Sequence, residues 1–98
     1  MKEMDTYFHD KVAVITGGGG VICSQVAKDL AKMGITVVLV GRTLEKLQKV
    51  EEAIVAQGGK CACYACDVVD RAAVNALAEE VIARFGRCDY LINGAGGN

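Results

Sequence analysis

Proline is missing from these 98 residues, and nothing else divides the chain: it has no repeats, no low-complexity tract and no linker. An excess of charge of either sign is missing too. Eleven Lys and Arg are scattered among twelve Asp and Glu, for a net charge of −1, which excludes the basic footprint of a nucleic-acid or anionic-membrane binder. No apolar stretch reaches membrane-spanning length without a glycine or a charge interrupting it. The opening M-K-E-M-D-T-Y-F-H-D lacks the apolar core of a signal peptide, so a cytoplasmic protein is the default expectation. A composition of 52% hydrophobic and 23% charged residues belongs to a globular chain, and this length allows at most one small domain with a thin stability margin.

What is plentiful is cysteine and glycine. Cys23, Cys61, Cys63, Cys66 and Cys88 make an odd count without a secretory signal, which points to reduced thiols rather than a disulfide framework. Three of them form C-A-C-Y-A-C. In a strand, period-2 alternation puts Cys61 and Cys63 on one face and Cys66 on the other, so these three cannot converge on one ion. They are expected to be small core residues, with no metal.

Periodicity alternates strand and helix from end to end. Val12–Thr16 reads as a buried strand. Val26, Ala27, Leu30 and Ala31 share a helix face that Gly34 ends. Thr36–Val40 is a β-branched second strand. Thr43 is the expected N-cap of a helix with Leu44, Leu47, Val50, Ile54 and Val55 as its buried stripe, ended by Gly58-Gly59. Cys61–Cys66 is strand three, Asp70 caps a helix with stripe Val74, Leu77, Val81, Ile82 and Phe85, and Gly86 closes it. Tyr90–Asn93 is strand four. Connections this short imply an α/β fold, the first half of a doubly wound parallel sheet of Rossmann type. Strand four should lie beside strand one with its outer edge unpaired, so the chain reads as a piece: residues 1–10 an N-terminal arm, residues 11–98 a partial dinucleotide-binding domain truncated after strand four.

The stretch T-G-G-G-G-V-I-C-S, directly after the first strand, is where an anion would sit. Bare backbone and a helix N-terminus there face a phosphate, whereas a merely tight turn needs fewer glycines. A Walker loop is rejected, since no lysine precedes Lys28. A methyltransferase would usually place an acid at the end of strand two, and a dinucleotide enzyme either that acid or a basic group for a 2′-phosphate. Here strand two ends in Gly41-Arg42. Arg42 suits a bidentate grip on a 2′-phosphate, with a solvated arginine as the alternative, and NADP(H) is favoured over NAD(H).

With these residues in hand, the sequence resembles the short-chain dehydrogenases/reductases. Against that family's T-G-x-x-x-G-x-G and following helix, the chain supplies Thr16, Gly17, Ile22, Ala27, Leu30, Ala31 and Gly34 without a gap. The family's D-V after strand three is present as Asp67-Val68, and its N-N-A-G after strand four as Asn93-Gly94-Ala95-Gly96. Val21 and Cys23 replace the second and third signature glycines, and Gly18 to Gly20 are expected to move the closest approach to the cofactor one residue earlier. T-G-G-G-G-V-I-C-S with I-N-G-A-G-G-N is similar to the branch of mannonate (fructuronate) oxidoreductases.

The resemblance implies a cofactor site made by Gly17, Gly19, Gly20, Val21 and Ile22, by Gly41 and Arg42, by Asp67 and Val68 (the carboxylate on the adenine amino group), and by Asn93, Ala95 and Gly96. It implies a hydride transfer between nicotinamide and a sugar-acid alcohol or ketone, a small-molecule substrate, and a homo-oligomer. The family's catalytic Ser, Tyr and Lys, and its Asn on the helix that follows strand four, have no counterpart here and are expected downstream of Asn98. Tyr7 and Lys11 match the Tyr-x-x-x-Lys spacing, but they precede strand one and read as coincidence. His9 is expected at the surface, Asp89 as a solvated or turn-capping carboxylate, and Lys46, Lys49, Glu51 and Glu52 as a wet helix face. The competing expectation is a non-catalytic nucleotide-binding or self-associating half-domain.

Overall fold

The computed structural model describes residues 9–17 and 20–94. Four strands alternate with three helices: β1 (Val12–Thr16), α1 (Val21–Lys32), β2 (Thr36–Gly41), α2 (Leu44–Ala56), β3 (Cys61–Ala65), α3 (Arg71–Phe85) and β4 (Tyr90–Asn93). The sheet is parallel throughout, in the order β3-β2-β1-β4. β4 therefore pairs with β1, in the register Thr16↔Asn93, as the sequence predicts.

β1 and β2 are buried on both faces, which is why they read as unbroken apolar runs rather than as alternating ones. Alternation instead decides which helices each residue meets. Ile15, Val37 and Leu39 pack with Ala27 and Ala31 of α1 and with Leu47, Val50 and Ile54 of α2. Val12, Val14, Val38 and Val40 face the other way, onto Val81 of α3. Each fully buried Ile or Leu contributes about 1.5–3 kcal/mol relative to exposure. The cysteines obey the same alternation: Cys61 and Cys63 pack on the first cluster and Cys66 lies in the second.

Three expectations about the helices need correction. Leu44 and Val55 are 40% and 55% exposed. At 100° per residue they lie about 60–80° round the helix from Leu47, beyond the strip that meets the sheet. Ile82 is also half exposed, and Val81 alone is buried on α3, because a single helix covers that face among the described residues. Thr43 occupies the N-cap of α2 without a side-chain hydrogen bond. Asp70 does cap α3, accepting from the Ala73 N–H at 3.2 Å, and Gly86 ends that helix in the left-handed conformation.

Asp89 joins β4 to β1. Its N–H donates to the Val12 carbonyl, and its Oδ2 accepts from the Val12 N–H at 2.8 Å. Arg87 grips both carboxylate oxygens, at 2.8 and 2.9 Å, so Asp89 is a strand-pairing group rather than a solvated one. No helix among the described residues is long and apolar enough to cross a membrane.

Candidate functional site

The C-terminal ends of all four strands open into one cleft of about 790 Å³, within the range of small-molecule sites. It lies where the strand order reverses between β1 and β4, the position at which open α/β sheets bind ligands. Gly17, Gly20, Val21, Ile22 and Cys23 form its floor after β1. Gly41, Arg42, Thr43, Lys46 and Leu47 form one wall after β2, Cys66 to Val69 a second after β3, and Asn93 with Gly94 the end after β4.

Gly17 has φ +74°, which a side chain would strain, and its N–H donates to the Val40 carbonyl at 2.8 Å. The Gly17 carbonyl accepts from the Gly20 N–H at 3.0 Å. Gly20 is the N-cap of α1. Among the described residues no side chain caps this helix, and no acid stands in its first turn, so its positive end faces the cleft without a competing carboxylate. Val21 and Ile22 follow at once, 88% and 79% exposed.

On the β3 side, Asp67 shapes its own loop: its Oδ1 accepts from the Val69 N–H at 3.1 Å and its carbonyl from the Asp70 N–H at 2.9 Å. That turn leaves Val68 and Val69 exposed at the cleft mouth. Burial, and then the carboxylates of Asp70 and Asp67, push the Cys66 thiol up, so Cys66 presents a neutral S–H to the cleft. At the far end, Thr16 Oγ1 donates to Asn93 Oδ1 at 2.8 Å, which fixes the side chain that closes the strand β1–β4 pair.

Among the residues expected from the sequence to contact a cofactor, Gly17, Gly20, Val21, Ile22, Gly41, Arg42, Asp67, Val68 and Asn93 are brought to this one cleft. Gly19, Ala95 and Gly96 lie outside the described residues, as does Tyr7. Sequence reasoning missed Thr43, Lys46, Cys66, Val69 and Gly94. Lys46 is the most consequential of these, because it adds a second cation beside Arg42 where a solvated helix face was expected. The available signal was its place in the first turn of α2, three residues after the N-cap Thr43, whose carbonyl accepts from the Lys46 N–H at 3.1 Å.

The cleft's exposed apolar rim and open helix end together suit a ligand with both flat and anionic parts. Val21, Ile22, Val68 and Val69 are large apolar side chains left in solvent, and all four line the same cleft. A ligand covering them recovers their burial energy, while Arg42 and Lys46 supply positive charge at one wall.

Comparison with known proteins identifies the family and the fold. The family described as short chain dehydrogenase matches residues 11–98. UxuB, an uncharacterized oxidoreductase of Bacillus subtilis (strain 168), is 49% identical over 88 residues, covering 90% of this chain and 32% of its own length. A crystal structure from Haemophilus influenza, provisionally named a D-mannonate oxidoreductase and holding bound NAD, superimposes with a TM-score of 0.87 at 39% identity, over 92% of this chain and 32% of that one. A metagenomic short-chain oxidoreductase in complex with NADP gives a TM-score of 0.84 at 43% identity, over 86% and 38% of the two chains. The chain spans about a third of the length of the curated relatives it matches. It belongs to the short chain dehydrogenase family.

Proposed function

We propose that this chain is the cofactor-binding part of an NAD(P)-dependent oxidoreductase acting on a sugar-acid alcohol or ketone of the mannonate/fructuronate kind. The observation that carries the reading is the convergence of the glycine turn, the uncapped end of α1, Arg42, Asp67 and Asn93 on one cleft at the strand β1–β4 crossover. The substrate class is supported by the likeness to UxuB and to the Haemophilus protein.

In this reading Gly17, Gly20 and the first N–H groups of α1 hold a pyrophosphate. Ile22 and Val21 cover the apolar side of the bound molecule, and their side chains exclude water from it. Arg42 and Lys46 hold a 2′-phosphate by charge-assisted contacts, which favours NADP(H) over NAD(H). Asp67 keeps one carboxylate oxygen for the adenine amino group while the other maintains its loop. Asn93, held by Thr16, borders the nicotinamide ribose. When bound, the cofactor supplies the hydride or accepts it. The reading assigns proton transfer to groups outside these 98 residues.

The test is NADPH- and NADH-linked reduction of fructuronate, followed by absorbance loss of the reduced cofactor. The longer protein carrying this sequence is expected to consume substrate and cofactor one for one, and the 98 residues alone to show no turnover. Turnover by these residues alone would refute the division of roles. Cofactor oxidation with other ketones but not with fructuronate would refute the substrate class.

A second reading rests on Leu91, which is 69% exposed on β4 at the sheet edge. Unpaired edges associate, so a self-associating nucleotide-binding unit predicts a sedimentation mass that rises with concentration and no hydride transfer by the longer protein.

A further inference from the structure

C-A-C-Y-A-C does not bring its three cysteines together, but the edge of the sheet assembles a different trio. Glu51 of α2 reaches the face of β3 that carries Cys61 and Cys63, and the three donor atoms lie within 4.8 Å of one another. All three residues are half-buried, and none lines the cleft. Glu51 was expected on a solvated helix face. Its angular position, about 40° from Leu47 at 100° per residue, places it on the flank where α2 meets the edge strand.

The Cys61 thiol donates to the Ala62 carbonyl at 3.8 Å. Burial first, then the neighbouring thiol and the Glu51 carboxylate, hold the Cys61 thiol far above its ordinary value. Burial first, and then Glu51, push Cys63 up to about 11. The pair is therefore protonated and non-nucleophilic by itself. A cation that binds thiolates deprotonates them outright.

We propose that Glu51, Cys61 and Cys63 form a three-ligand site for a thiophilic divalent cation of the zinc class, at the outer edge of the sheet and separate from the cofactor cleft. Tetrahedral bonds of about 2.0–2.3 Å set ligand atoms roughly 3.5–3.8 Å apart, so the donors close in by about 1 Å through side-chain rotation. Two sulfurs and one carboxylate oxygen suit zinc, cobalt or cadmium and reject magnesium and calcium, which take all-oxygen shells. As the two sulfur–metal bonds form, the two thiol protons pass to water, and Glu51 adds one oxygen. Because β3 is the last strand on that side of the sheet, water reaches the fourth position.

The test uses cobalt(II) alone, added under anaerobic reducing conditions to the 98-residue chain. Wild type is expected to saturate at about one ion per chain with thiolate-to-cobalt charge transfer and intense tetrahedral d–d bands. Cys61→Ser and Cys63→Ser each abolish the bands, and Glu51→Gln weakens binding by at least roughly tenfold, the lower end of losses seen when a group that only orients a ligand is removed. Cys66→Ser and Cys88→Ser leave the bands unchanged. Absence of the bands in wild type, their survival in Cys61→Ser or Cys63→Ser, or full affinity in Glu51→Gln overturns the proposal. Should the serine variants fail to fold, X-ray absorption of zinc-loaded wild type decides. Two sulfurs at about 2.3 Å with oxygen or nitrogen completing the shell support the site, and any other sulfur count overturns it.

Discussion

The sulfur of Cys23 occupies the space where a side chain on Gly94 would begin, so that a Cβ at residue 94 would overlap Cys23 Sγ and approach the Thr16 carbonyl oxygen to 3.2 Å. Each of these two residues departs from the short-chain dehydrogenase signatures, Cys23 from the last glycine of the first and Gly94 from the second asparagine of N-N-A-G. The departures are complementary. A larger residue on α1 is accommodated by a smaller one after β4, and close packing of helix against strand end is preserved.

Gly94→Ala should therefore destabilise the fold by about 1–3 kcal/mol, the usual cost of overpacking. In the Cys23→Ala background the same change should cost distinctly less, because the overlapping sulfur is gone and only the Thr16 contact remains. Urea unfolding of the two single variants and the double variant gives the coupling directly. Additive costs would contradict the packing relationship.

Gly58 and Gly59 look alike in sequence but answer different demands. Gly58 has φ +85° with nothing within 4 Å of an added Cβ, whereas at Gly59 that atom would lie 2.8 Å from Ile54 Cγ2 and 3.1 Å from Ala31 Cβ. Gly58→Ala should cost about 1–2 kcal/mol from backbone strain, and Gly58→Asn less, because Asn tolerates the left-handed region. For Gly59 the order reverses: Asn, being larger, should be worse than Ala. Thermal melts of the four variants distinguish strain from collision.

Asp89 makes the fold sensitive to acid. Arg87 first, and then the Val12 N–H, hold its carboxyl below the ordinary value. The unfolded chain consequently takes up a proton at higher pH than the folded one, so the contribution is complete above about pH 4 and is lost as pH falls through the lowered folded-state value. Asp89→Asn should have a flatter dependence of unfolding free energy on pH below about 4 than wild type. Identical acid limbs would show that the Asp89 contacts contribute nothing.

The order of all seven elements was legible because β-branched runs, helix-period stripes and terminal glycines each report on a local preference. Pairing of β4 with β1 was legible from the doubly wound pattern. Relationships that depend on how far a helix turns about its axis were not. Leu44 and Val55 fit a helix-period stripe, yet they miss the sheet; Glu51, read as solvated, reaches two thiols on an edge strand. Lys46 escaped for a related reason. Its exposure is real, but exposure into a cleft differs from exposure to bulk water, and only the position of Arg42 one turn away makes the difference visible. Thr43 had the residue type of a cap without its hydrogen bond, because a cap also requires the side chain to turn inward.

If the cleft binds a dinucleotide as proposed, its basic wall chooses between the two forms. Calorimetric titration of NADP⁺ and NAD⁺ into wild type, Arg42→Ala and Lys46→Ala tests it most directly. One saturable site per chain is expected, tighter for NADP⁺. Each alanine variant should lose roughly tenfold or more of the NADP⁺ affinity, the size of a charge-assisted hydrogen bond, while NAD⁺ affinity changes little. No saturable binding of either nucleotide, or a preference for NADP⁺ that survives both substitutions, would contradict it.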